Sequence, residues 1–171
     1  MIPLIETERL VLREPRLADF DSYAAFWASD RATENGFGGP YDRNAAWDSF
    51  IGEAGQWTIR GLGSWMVEEK SSGKAAGWIG FYYPDRYEEI ELGWTLFAEF
   101  EGRGIAFEGA IAAREFGQSE LGVKAPASFI TVENTRSIRL AERLGAKLED
   151  TRDRGNGPFH VYRHPFNEDL K

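Results

Sequence analysis

The run Glu91-Leu-Gly-Trp-Thr-Leu-Phe-Ala-Glu-Phe100 is apolar and aromatic, Glu101-Gly-Arg-Gly104 turns the chain, and helical spacing begins at once with Ile105-Ala-Phe-Glu-Gly-Ala110. A chain with this stretch must set a helix start directly against the end of a buried strand. The first N–H groups of such a helix have no acceptor within it, and the helix dipole favours negative charge there. The stretch is therefore a place to hold a phosphate. Gly-x-Gly can also serve only to turn the chain and let a helix lie close to a strand, so the loop alone leaves both readings open.

Two familiar phosphate loops do not fit. The dinucleotide fingerprint needs a third glycine where Phe107 stands, and no suitably spaced acid ends the next strand. Gly-Lys-Ser/Thr occurs nowhere in the chain. What remains is an arrangement in which small Gly104 and Ala106 let a diphosphate approach the amides of Gly102, Arg103, Gly104, Ile105, Ala106 and Phe107, with Arg103 adding positive charge.

The elements around this stretch follow from periodicity. Glu8 to Arg13 reads as a strand at a sheet edge, and Leu17, Phe20, Tyr23, Ala24 and Trp27 as an amphipathic helix ending near Asp30. After a glycine-rich loop over 35–41, Ala46, Trp47, Phe50, Ile51 and Trp57 give a second helix, weakened by Gly52 and Gly55. Trp65 to Val67, Ala76 to Tyr83 and Glu88 to Phe97 form a three-strand meander. The helix from Gly104, a strand over Ala127 to Val132 and a helix over Asn134 to Leu144 capped by Gly145 come next, and Lys147 to Arg152 and Phe159 to Arg163 close the order. The expected architecture is α+β: a central mixed, mostly antiparallel sheet of about seven strands flanked by about four helices, parallel only across the central strand-helix-strand unit. At 171 residues the chain suits one domain over 1–171, with a frayed tail from 164.

Composition narrows the partners. A net charge of -8 argues against nucleic acid and against an anionic membrane surface, and suits a cationic partner such as an amine. With no cysteine, a thiol nucleophile, a disulfide and a thiolate metal site are excluded. His160 and His164, the only histidines, read as structural or exposed, and no metal is expected. Charges come too early for a secretory segment and no apolar run is long enough to span a bilayer, so a cytoplasmic location is the default, with a homodimer left open.

Glu101-Gly-Arg-Gly-Ile-Ala106 resembles the Gln/Arg-x-x-Gly-x-Gly/Ala loop of the Gcn5-related N-acetyltransferases. Thr7-Glu-Arg-Leu-Val-Leu-Arg13, Glu91-Leu-Gly-Trp-Thr-Leu96 and Asn134-Thr-Arg-Ser-Ile-Arg-Leu-Ala-Glu-Arg-Leu-Gly145 are similar to the branch that acetylates ribosomal-protein N-termini, in the same order and over nearly the whole chain. The resemblance implies direct acetyl transfer from acetyl-coenzyme A to a primary amine, a small molecule or a peptide N-terminus, with the coenzyme lodged where two parallel strands splay apart. It implies that the backbone at Trp94, Leu96 and Phe97 pairs with the pantetheine arm and that the loop amides hold the diphosphate. Glu101 departs from the pattern, standing where Gln or Arg is usual and putting an acid beside the phosphates. A coenzyme-binding module without turnover, or a domain that keeps only the fold, are the competing readings.

Asn134 is a good helix N-cap on its own chemistry, and Ser137 a first-turn hydroxyl. The resemblance gives them further roles: Asn134 orienting the pantetheine amide, Ser137 protonating the leaving thiolate. An attacking amine must also lose a proton, and Glu91 is the innermost acid of its apolar strand, with Glu89 on the same face in reserve. Glu91 also matches the glutamate of the family's Glu-Leu/Ile-Gly-Tyr/Trp motif. Phe37 and Tyr41, with the loop containing Asn156 and Pro158, are the expected acceptor pocket.

Overall fold

A computed structural model describes residues 1–34, 38–153, 155 and 157–166. The alternating runs become eight strands: β1 (Ile5–Glu6), β2 (Leu10–Arg13), β3 (Ser64–Glu69), β4 (Lys74–Tyr82), β5 (Glu91–Leu96), β6 (Ala127–Thr131), β7 (Lys147–Asp153) and β8 (Pro158–Arg163). They form one sheet in the order β1-β2-β3-β4-β5-β6-β8-β7, antiparallel throughout except at β5–β6. Among the described residues five α-helices accompany it: α1 (Phe20–Trp27), α2 (Asp30–Glu34), α3 (Arg43–Arg60), α4 (Ile105–Glu120) and α5 (Thr135–Arg143). The mixed sheet with one parallel pair is the expected architecture, with one more short strand and one more short helix.

The extra strand corrects one expectation. β2 is not the sheet edge, because Ile5 and Glu6 pair outside it with Leu12 and Val11. Two residues are too few to show alternation, which is why periodicity passes over them. Residue His164 also departs from the frayed tail: it is fully buried and its N–H donates to Pro126 O at 3.0 Å. Residues 167–171 lie outside the described residues.

Two local features fix the layers. Ring contacts join Tyr23, Phe26 and Trp27 of α1 to Trp78 of β4, at centroid separations of 4.7, 5.1 and 6.3 Å. On the opposite face α4 lies close to β4 because it carries glycine where the strand carries Ile79 and Phe81. A Cβ at Gly109 would stand 2.7 Å from Ile79 Cδ1, and one at Gly117 2.3 Å from Phe81 Cζ. The start of α1 is tied to the sheet by a buried ion pair, in which Arg13 donates twice to Asp19 at 2.8 Å while Asp19 also accepts from Arg16 N. α3 runs through Gly52 and Gly55, held by buried Ala46, Phe50 and Trp57 and by Asp42, whose side chain accepts from Ala45 N.

Candidate active site

β5 and β6 share a single register pair, Glu91 with Ala127, although both strands continue beyond it. Ala127 N donates to Ile90 O at 3.1 Å, and the next link is a side chain, Ser128 Oγ donating to Leu92 O at 2.6 Å. Past that point β6 pairs only with β8 among the described residues, and the parallel pair is open. Gly102 and Gly104 have φ of 72° and 78°, which a side chain would strain, and they turn the chain from β5 into α4. The first bond of that helix runs from Glu108 N to Gly104 O, so the N–H groups of Ile105, Ala106 and Phe107 precede it at the helix start.

A cavity of about 240 Å³ lies between the open strands and this loop. Of the residues expected at the coenzyme, Trp94, Leu96, Gly102, Gly104, Ile105, Ala106, Phe107, Asn134 and Ser137 line it. Asn134 Oδ1 accepts from Ser137 N at 3.1 Å, the N-cap read from the sequence. Ser137 Oγ accepts from Trp94 Nε1 at 3.3 Å, so α5 is hydrogen-bonded to β5 across the opening. A hydroxyl that accepts from Trp94 keeps its own proton to give.

Other expected residues lie elsewhere. Phe97 is buried, with its ring 6.1 Å from that of Trp78 and its N–H on Ala76 O. The Arg103 side chain turns away from the cavity: it pairs with Glu69 and lies over the Phe100 ring, while its carbonyl accepts from Arg9. The positive charge expected of Arg103 comes instead from Arg31 of α2 and from Arg136 and Arg143 of α5. Arg136 and Arg143 stand two turns apart on one helix, a spacing the sequence carries; Arg31 arrives from a distant helix with no local signal. Phe26 and Thr95 complete the lining from the other face of the sheet.

Glu101 lines the cavity and is held by both Arg31 and Arg136. Burial opposes its ionisation, but those two arginines outweigh it and keep the carboxyl below its usual range. Glu91 is outside the cavity lining. It stands half-buried where the parallel ladder ends, opposite Tyr82 of β4, and its carboxyl leans along the strand, with Oε1 3.9 Å from where a Cβ on Gly93 would lie. Glu89, the reserve, gives one oxygen to Arg152 and the other to Arg163. Tyr41 is stacked on Trp27 at 4.5 Å and 10°, and its N–H donates to Trp27 O. Phe37 and Asn156 lie outside the described residues. His160 Nδ1 is 2.8 Å from Thr151 Oγ1, and among the described residues no group of three or more His, Asp or Glu could hold a metal ion.

Residues 9–147 match the model of the acetyltransferase (GNAT) domain. The chain belongs to the GNAT acetyltransferase family. An acetyltransferase of Agrobacterium tumefaciens is 37% identical and superposes with a TM-score of 0.87, over 96% of this chain and 95% of that one. Protein YkkB of Bacillus subtilis is 31% identical over 105 residues, 60% of either chain, so the match spans three fifths of that relative. RimL, a ribosomal L7/L12 alpha-N-protein acetyltransferase solved with coenzyme A, shares the fold at a TM-score of 0.81 and 15% identity, over 96% of this chain and 99% of RimL. Membership makes acyl transfer from acetyl-coenzyme A the class of reaction. None of the helices among the described residues is long and apolar enough to cross a membrane.

Proposed function

We propose that the protein transfers the acetyl group of acetyl-coenzyme A directly to a primary amine. The observation that carries this is the parallel pair that opens after Glu91 and Ala127, with the Gly102–Gly104 loop at the end of the opening and Ser137 bridged into it. The diphosphate lies on the amides from Gly102 to Phe107 and the pantetheine arm follows β5 past Trp94 and Leu96. The acceptor comes from the side of Tyr41 and the loop around Pro158, where a protonated amine first gives a proton to Glu91, directly or through water. The nitrogen then attacks the thioester carbon, the C–S bond breaks as the C–N bond forms, and the Ser137 hydroxyl protonates the departing thiolate. Solvent takes the remaining nitrogen proton and the one held by Glu91, and restores that of Ser137. Lack of cysteine supports one direct step over an acyl-enzyme.

A peptide N-terminus is the acceptor class that the branch resemblance favours. The test is release of free coenzyme A thiol over a panel of peptides, polyamines and aminoglycosides, beside calorimetric binding of acetyl-coenzyme A. Binding with turnover on a peptide is the expected result. Binding without turnover on any amine would instead establish a coenzyme-binding module.

A further inference from the structure

Glu101 is the residue at which the loop departs from its family's pattern, and among the described residues it is the one acid lining a cavity that also holds Arg31, Arg136 and Arg143. In a chain of net charge -8, three arginines converge on one cavity with one carboxylate among them. Arg143 lies against the Phe107 ring, its guanidinium carbon 4.6 Å from the centroid. Arg31 and Arg136 are held differently: they come from α2 and α5, far apart in the chain, and meet on the two oxygens of Glu101. Arg136 has a side chain two-thirds exposed, and without an anchor a long side chain so exposed samples many rotamers.

We propose that Glu101 is a positioning residue for coenzyme binding, a carboxylate bridge that holds Arg31 and Arg136 where their remaining N–H groups meet the diphosphate. The inference rests on the coenzyme reading of this cavity. A guanidinium has five donors in a planar fork, so it can hold a carboxylate and phosphate oxygens at the same time. The bridge also offsets the repulsion of two like charges brought to one place before the ligand arrives. The depressed ionisation of Glu101 accords with a carboxylate that stays charged in this role.

The proposal predicts the opposite sign from simple charge counting. If Glu101 only repelled the phosphates, removing its charge would tighten binding. If it positions the arginines, Glu101→Gln and Glu101→Ala weaken coenzyme A by about tenfold, the size of one charge-assisted hydrogen bond. Titration calorimetry on the wild type and both variants is run with coenzyme A and with pantetheine, which lacks the diphosphate. Weaker coenzyme A with unchanged pantetheine is the expected outcome, with KM for acetyl-coenzyme A raised and kcat kept. Arg136→Ala should then cost less in the Glu101→Ala background than in the wild type. Unchanged or tighter coenzyme A in the two variants overturns the positioning role and leaves the coenzyme reading standing. A wild type that binds no coenzyme A overturns the coenzyme reading itself and the inference with it. Equal loss of pantetheine would make Glu101 a fold determinant, which also refutes the proposal.

Discussion

Glu53 on α3 gives the sharpest test of the energetics. Its Oε2 is shut off from solvent with no hydrogen-bond partner among the described residues. Burial pushes the carboxyl up from 4.5 to about 7, against a smaller opposing effect of a hydrogen bond from Ser64. In the unfolded chain Glu53 ionises at its ordinary 4.5, so between there and pH 7 the folded state holds a proton that the unfolded state has lost. The stability this contributes is whole below the unfolded value and is lost as pH rises through the folded one. At about 1.4 kcal/mol per pKa unit the loss comes to about 3 kcal/mol by pH 8. Glu53→Gln, which cannot ionise, avoids that loss. For a domain of this length the variant should melt about 6–12 °C above the wild type at pH 8 and near it at pH 5, apart from a constant offset set by how the amide fits against Ser64. Melting curves at matched ionic strength between pH 5 and 8 measure this, and the titration of every other group cancels in the difference. Parallel curves, with a gap that does not grow with pH, would refute the argument.

Four further outcomes are expected. Glu91→Gln should lower kcat by about 10² or more and move the acid limb of the pH–rate profile, whereas an unchanged rate and profile would remove Glu91 as the base. Ser137→Ala should lower turnover by about 10² with little change in coenzyme affinity, and equal loss of both would leave Ser137 only a helix-start role. Gly117→Ala drives a methyl to 2.3 Å from Phe81 and should cost about 1–3 kcal/mol in denaturant unfolding, while the same change at exposed Gly52 of α3 has no such neighbour. Asp19→Ala leaves the Arg13 guanidinium buried without its main partner and should cost about 3–5 kcal/mol by the same measurement.

How much of this was legible in the sequence depends on whether the signal is local. The glycine turn, the Asn134 cap and the strand order are local patterns, and the structure carries them with small changes of boundary: β5 begins at Glu91 rather than Glu88, and Glu89 before it pairs with Arg152 and Arg163. The cations of the cavity are a different matter. Arg103 is adjacent to the glycines in sequence and so invites a phosphate role, but Glu69 of β3 lies within reach and takes it. Arg31 is seventy residues from Glu101 along the chain and meets it only once α2 and the loop are in place. Proximity in sequence pointed to an arginine whose side chain the cavity lining does not include, because charge partners are chosen across the sheet.

The opening between β5 and β6 has a cause that can be followed to single protons. Ser128 Oγ donates its one proton to Leu92 O at 2.6 Å, so the contact of 2.9 Å between that oxygen and His164 Nε2 must have the histidine as donor. This puts a proton on His164 Nε2, and Nδ1 is without a partner among the described residues. Burial, reinforced by Arg114 and Arg163, pushes the ring down to about 3, so it stays neutral across the working range. The last link between the parallel strands is therefore made by a hydroxyl in place of a peptide N–H, and its geometry is set by a histidine that cannot turn over its tautomer without breaking the bond. Trp94, whose ring meets His164 edge-on at 6.3 Å, is thereby placed beside the opening with its Nε1 on Ser137. The cavity is lined by Phe26 and Thr95 from one face of the sheet and by Trp94, Ser137 and Leu140 from the other, which is the geometry of a passage between strands rather than a groove upon them. A coenzyme arm in that passage can offer its thioester to an acceptor on the Glu91 face while its leaving sulfur stays on the Ser137 face. Glu91 and Ser137, the two groups proposed to move protons, need not share a side of the sheet, and the opening beside Ser128 and His164 is what would join them.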